Sequence, residues 1–199
     1  MVRTLAKDHE DKRSAILSAS TQVFAEIGFD RASMVQVAKK WGFSKAALYH
    51  YFPSKNAILF AILDRHLSEL TSHVLNLKRD DRSPEDFLSY MVEEILLQYE
   101  GNDSVHELQI HALGQLGIDD QQLLRGHMRE LVSFVSSIVQ EAHPIGLQTG
   151  SNDLRMATMS LFGMLNWYCT WNGGHGTDSR REYACFAVKI FLGGIQSLD

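Results

Sequence analysis

The sequence predicts an all-α chain of nine helices divided into two domains. Three observations carry this. Apolar residues recur at helical spacing along the chain, and no convincing alternating run marks a strand. Breakers return at helical intervals, from Gly28 to the run Gly173-Gly174-His175-Gly176. The charge is also split. Residues 1–55 hold nine Lys/Arg against five Asp/Glu, whereas residues 56–199 hold ten against nineteen. A basic head on an acidic body points to a polyanion as the partner of the head and not of the body. The expected domains are therefore 1–55 and 56–199.

The elements follow in order. The first helix is expected from near Asp8 to Ile27, with Ile16, Leu17, Val23, Phe24 and Ile27 as its apolar stripe. Gly28 suits the left-handed residue past its end. Ser33 is a good N-cap for a short helix, Met34 to Trp41, closed by Gly42. Ser44 caps a second short helix, Lys45 to Tyr51. Pro53-Ser54 restarts the chain into a long helix from Lys55 to Leu77. The charged break 78–84 supplies Ser83 as N-cap and Pro84 at the first helical position of the fifth helix. It runs to Tyr99, and Gly101-Asn102-Asp103 ends it. The remaining helices are expected over 104–116, 120–142, 152–172 and 179–197. Pro144 to Ser151 separates the seventh from the eighth.

Composition narrows the class. The chain has 199 residues, 45% hydrophobic and 22% charged, enough for a sizeable core. The longest apolar run, Ala57 to Leu63, falls far short of the roughly 20 residues of a membrane span. No apolar signal core precedes the first charges. The two cysteines, Cys169 and Cys185, form no CxxC pattern. A disulfide scaffold or structural zinc is not expected, and a reducing cytoplasm is the expected compartment.

The segment Met34 to Phe52 has the spacing of a helix-turn-helix. Ala38 is the small residue where two steeply crossing helices meet. Gly42 supplies positive φ in the turn. Val37, Trp41, Phe43 and Leu48 form the inward face, leaving Lys45, Ala46, Ala47, Tyr49 and His50 outward. A helix in the major groove reads bases with its N-terminal residues. Lys45 can reach guanine O6/N7 or a phosphate, and the Ala46 or Ala47 methyl can lie against a thymine methyl. Tyr49 and Tyr51 can donate to phosphates. Ser33 and Lys55 stand at helix starts, which favour phosphate.

Residues 12–63, about a quarter of the chain, strongly resemble the DNA-binding domain of TetR-family transcriptional regulators. The carrying text is Arg13-Ser14-Ala15-Ile16-Leu17, Val23 to Phe29, Gln36-Val37-Ala38 and Gly42 to Lys55. The resemblance places DNA contacts at Ser33, Lys45, Ala46, Ala47, Tyr49, Tyr51 and Lys55, with His50 as a phosphate contact only. It implies a ligand-responsive repressor binding a double-stranded DNA operator. Helices four to seven would enclose an effector pocket, and the last two would pair into a homodimer interface. The residues allow this: the eighth helix is apolar nearly all round, from Leu154 to Trp171. The ninth carries Tyr183, Phe186, Ala187, Ile190, Phe191 and Ile195, and such a pair wants a partner.

The stretch Leu161 to Trp171 resembles a subgroup of TetR-family repressors that sense acyl-coenzyme A thioesters. Arg3 to Arg13 is similar to the phenylacetate-degradation repressors within it, which implies phenylacetyl-coenzyme A as effector. Tyr90, Phe134, Phe162, Trp167 and Trp171 are the aromatics available to an acyl group. Arg125 and Arg129, four apart on one helix face, are the basic pair for nucleotide phosphates. His111 and Gln115 share a face and could donate to a ligand. Equally, the aromatics could be plain core and the effector an unrelated hydrophobic compound.

Enzyme chemistry finds little support. His106 and His111 are five apart, about 140° around a helix, where a metalloprotease pair needs four. There is no GxSxG and no P-loop. Cys169 and Cys185 are expected to pack as small hydrophobes. No cofactor, metal or membrane partner is expected. A helical small-molecule carrier or enzyme is the remaining alternative, and the enzyme reading requires a nucleophile–base pair or metal cluster that the sequence does not offer.

Overall fold

The computed structural model describes residues 2–143, 147–172 and 176–195. Among these there are nine α-helices and no strand: α1 (Val2–Ile27), α2 (Met34–Trp41), α3 (Lys45–Tyr51), α4 (Lys55–Leu75), α5 (Pro84–Gln98), α6 (Asp103–Ala112), α7 (Ile118–Ala142), α8 (Asn152–Asn172) and α9 (Thr177–Ile195). One 3-10 turn, Leu113–Gln115, follows α6. The expected placement of the Trp41 side chain, the break at Pro144 and the glycines 173–174 with His175 lie outside the described residues. No described helix is long and apolar enough to cross a membrane.

Several boundaries differ from expectation, among them α4, which ends at Leu75, and α9, which starts at Thr177; three of the differences have a plain local reason. α1 begins at Val2 and not near Asp8. Val2 to Lys7 contains no breaker, and Arg, Leu, Ala and Lys are good helix formers. α6 ends at Ala112 and the chain tightens into the 3-10 turn. Gly114 weakens the helix there, and Gln121 Nε2 collects the carbonyls of Gly114 and Leu116 at 3.1 and 2.8 Å. α7 begins at Ile118, which puts Asp119 and Asp120 in its first turn, where the helix dipole favours them. Elsewhere the caps stand where the sequence places them. Ser83 Oγ accepts from Asp86 N, with Pro84 opening α5.

The chain forms two compact units, Met1–His66 with Glu107–Leu124, and Leu67–His106 with Arg125–Asp199. No single cut separates them, because α4, α6 and α7 each contribute residues to both. In the first unit Ile16, Leu17 and Phe24 of α1 are buried with Val37 of α2, Leu48 of α3 and Ile58, Leu59 and Ile62 of α4. Phe24 meets Phe29 edge-on, ring centroids 5.1 Å apart. Burying one such side chain contributes about 1.5–3 kcal/mol. The second unit has its own core, including Leu88, Met91, Val92 and Ile95 of α5, Leu161, Leu165 and Tyr168 of α8, and Val188 and Phe191 of α9.

Candidate nucleic-acid interface and effector region

The helix-turn-helix is built by short-range hydrogen bonds. Ser33 Oγ accepts from Gln36 N at 3.3 Å and donates to Gln36 Oε1 at 2.7 Å. Gly42 takes φ 76°, ψ 16°, the left-handed conformation that closes α2. Phe43 N returns to Ala38 O at 3.1 Å across this turn. Ser44 Oγ then accepts from Ala47 N at 3.1 Å and starts α3. Val37, Ala38 and Leu48 are buried where α2 and α3 meet, and Phe43 is half-buried.

This leaves α3 with one outward face. Lys45, Ala46, Tyr49 and His50 are exposed, and Ala47 and Tyr51 are half-buried. Lys45 Nζ sits 5.7 Å from the Tyr49 ring centroid, so the two contribute to one face. Tyr51 is flanked by rings, with centroids 4.8 Å from His9 of α1 and 5.6 Å from His50. His9 is absent from the expected set because it is distant from Tyr51 in sequence, and only the fold brings the two rings together. Arg13 lies over Phe52, 5.4 Å from its ring centroid.

Two of the residues expected at DNA also have partners within the chain. Ser33 is exposed, and its hydroxyl caps α2. Lys55 donates to three backbone carbonyls within its own unit.

The expected effector residues fall into four groups. Phe162 is buried in the second unit's core, and Tyr90 and Phe134 pack half-buried against that core. Arg82 lies 4.4 Å from the Tyr90 ring centroid. Arg125 and Arg129 are exposed on α7. His111 and Gln115 belong to the first unit. His111 is exposed, and Gln115 ties into its own unit, donating to Asp30 Oδ2 at 3.2 Å and accepting from Asn56 Nδ2 at its carbonyl at 3.3 Å. Trp167 and Trp171 are 63% and 57% exposed, with the Trp171 ring edge-on to Tyr168 and Tyr183. The register of α8 explains this. Leu161, Leu165 and Tyr168 take the inward stripe, so residues 167 and 171 turn outward. There they join Met156 and Met159 of α8 and Phe186 and Ile190 of α9, all at least half exposed. A groove of about 340 Å³ runs along these two helices, lined by Met156, Ala157, Ser160, Ile190, Phe191 and Gly194 among others.

A buried polar cluster in the second unit was not foreseen. Arg180 of α9 is 1% exposed and donates through Nη2 to both carboxylate oxygens of Asp103 at the start of α6, and through Nη1 to Leu96 O at 3.4 Å. His106, also 1% exposed, stacks on Tyr99 with centroids 4.2 Å apart. Burial pulls the His106 pKa down to about 4, against the raising effects of the Asp103 charge and a hydrogen bond to the Asn166 main chain. Burial, with Cys169 nearby, raises the Tyr99 hydroxyl above its ordinary value, and Tyr99 donates to Asn166 Oδ1 at 3.2 Å. The clue in the sequence is that Arg180 precedes Ala184, Ala187, Val188 and Phe191 on one helical stripe.

An N-terminal helix-turn-helix with an exposed basic and aromatic recognition helix, followed by an all-helical body, defines a DNA-binding regulator. Two family models match: residues 16–62 match the bacterial regulatory proteins of the tetR family, and residues 81–195 match the tetracyclin repressor-like C-terminal domain. The chain belongs to the TetR family of transcriptional regulators. It is 27% identical to the HTH-type transcriptional regulator UidR of Escherichia coli K12, over 98% of each chain. A 33% identity to the uncharacterized HTH-type transcriptional regulator YuxN of Bacillus subtilis spans 38% of this chain and 26% of that protein. A TetR-family regulator structure from Bordetella parapertussis superposes with TM-score 0.85 at 28% identity, covering 92% of this chain and 95% of that one. The structure of AibR in complex with isovaleryl coenzyme A and operator DNA shares the fold, with TM-score 0.73 at 22% identity over 89% of this chain and 96% of that one. Members of this family are transcription factors and not enzymes; they bind operator DNA and small-molecule effectors.

Proposed function

We propose that the protein is a homodimeric repressor that an acyl-coenzyme A thioester, with phenylacetyl-coenzyme A as the first candidate, releases from its operator. The observation that carries the effector class is the fold shared with AibR, which was solved with both isovaleryl coenzyme A and operator DNA. In this chain Tyr90, Phe134 and Phe162 are the aromatics in or against the core that an acyl group would meet. Arg125 and Arg129, exposed on one stretch of α7, are the cations offered to nucleotide phosphates. Trp167 and Trp171 belong instead to the proposed dimer face. A two-fold dimer would present two copies of α3 to two half-sites of a palindrome-like operator. Release requires the effector to bind better to the arrangement of the body that misplaces α3. DNA must then weaken effector binding by the same factor.

Calorimetry of the full-length protein with phenylacetyl-coenzyme A, phenylacetate and acetyl-coenzyme A tests this. The expected result is tight binding of the first alone, weakened by a duplex that the protein has selected from a randomised library. No heat with phenylacetyl-coenzyme A, or equal affinity for all three, overturns the effector assignment. Heat with another hydrophobic compound and none with the thioesters would replace it.

A further inference from the structure

The first half of α1 contributes little to the core. The helix begins at Val2, yet among its described side chains the first that is buried is Ile16. His9, Glu10 and Asp11 are exposed. What this stretch does touch is the C-terminal end of the recognition helix. His9 lies against Tyr51, ring centroids 4.8 Å apart and planes 32° apart. Four residues on, Arg13 lies over Phe52, 5.4 Å from its ring centroid. That spacing puts both on one face of α1.

The two contacts differ in kind. Phe52 is buried, so Arg13 covers the edge of a core ring. Tyr51 is only half-buried, and the resemblance places it at DNA. His50, exposed, flanks it on another side at 5.6 Å. Helical register also sorts the charges around His9. Lys12 and Arg13, three and four residues on, share its face, and Asp11 is turned away by about 200°. Glu10 stands 3.9 Å from Arg13 in an exposed pair of little energetic weight. An imidazole presents an N–H donor in either protonation state. Seated on the Tyr51 ring, this one is already partly ordered, which lowers the entropy cost of holding a phosphate.

We propose that His9 is a further DNA-binding residue, a phosphate contact supplied by α1 beside Tyr51 and outside the helix-turn-helix. The proposal rests on the reading of α3 as the recognition helix. Phosphate contacts position the protein and carry no base preference, so His9 contributes affinity evenly across sequences. A residue that merely packs on Tyr51 needs a ring, whereas a phosphate contact needs a donor or a positive charge.

The test uses the full-length protein and the duplex it selects from a randomised library, across a salt series at fixed pH. The variants are His9→Phe, His9→Arg and His9→Glu. Gln22→Glu is the charge control, exposed on α1 and about 220° around the helix from His9. Lys45→Ala is the control for α3. His9→Phe keeps a ring on Tyr51 and is expected to lose about fivefold in affinity. His9→Arg should bind more tightly, with the slope of log affinity against log salt steeper by about 0.9 per subunit. His9→Glu should lose about tenfold or more, and Gln22→Glu far less. Thermal unfolding without DNA checks that each variant is folded. Wild-type affinity in His9→Phe with an unchanged slope in His9→Arg overturns the proposal, as do equal losses in His9→Glu and Gln22→Glu. If these occur while Lys45→Ala weakens binding, only the role of His9 falls. If Lys45→Ala also leaves affinity unchanged, the placement of α3 falls and His9 with it. Should His9→Glu fail to fold, His9→Phe and His9→Arg decide.

Discussion

Arg180 and Asp103 join the first turn of α9 to the first turn of α6 through Nη2, which lies 2.8 and 2.7 Å from the two carboxylate oxygens. The arginine side chain is 1% exposed and the aspartate 21%, so the two partners are not equivalent. Removing the aspartate strands a fully buried cation. Removing the arginine leaves a carboxylate that water can reach in part. Breaking a buried pair costs about 3–5 kcal/mol, much of it the uncompensated charge. Asp103→Ala is therefore expected to destabilise more than Arg180→Met, and the double variant to recover part of the loss. Urea denaturation of the three variants checks this; equal losses in the two single variants would contradict the asymmetry.

His106 gives the same region a pH dependence. Unfolded, its imidazole takes a proton near pH 6.5; folded, burial delays this to about 4. Between these values the unfolded chain binds more protons, so stability falls as the pH falls. The full loss by pH 4 is roughly 3 kcal/mol, and above about pH 7 the group contributes no slope. The window from pH 6.5 to 5 is the most useful, because most carboxylates stay ionised there. His106→Gln is expected to flatten the stability profile in that window, read by denaturant unfolding at several pH values. An unchanged slope would show that another group carries it.

The legible parts of the molecule are those whose causes are local. Ser33, Gly42 and Ser44 cap helices through bonds to residues three or four away, so a reader of the sequence can place α2, α3 and the turn between them. The outward set on α3 follows from the same register. Lys55 shows where this reading stops. Its position at a helix start is visible in the sequence, but its carbonyl partners lie 23 to 26 residues back, and only the fold brings them to Nζ. Arg180 shows the same limit. Its place on the apolar stripe of α9 is readable as an anomaly, yet Asp103 stands 77 residues away in what looks like a mere helix break. For Trp167 and Trp171 the apolarity of α8 was plain, but an all-apolar helix does not reveal which face turns inward.

That outward face carries the last prediction. Trp167, Trp171 and Met156 of α8 and Phe186 and Ile190 of α9 each expose more than half of their surface. Single exposed hydrophobic residues are ordinary, but a contiguous set on two neighbouring helices marks an interaction surface. Aromatics and methionine are also the residues enriched where protein interfaces bury their centres. Phe162 lies on the same helix but in the core, so it separates two effects. Phe186→Glu or Trp167→Glu places a charge on the face without touching the core. Each is expected to yield a folded monomer with wild-type helicity and weakened binding to a palindromic duplex. Phe162→Ala should instead leave the assembly intact and cost about 3–5 kcal/mol of stability. Light scattering at micromolar concentration together with thermal unfolding distinguishes these outcomes. A wild type that is already monomeric, or a Trp167→Glu/Phe186→Glu variant that stays dimeric, would remove α8 and α9 as the dimer interface.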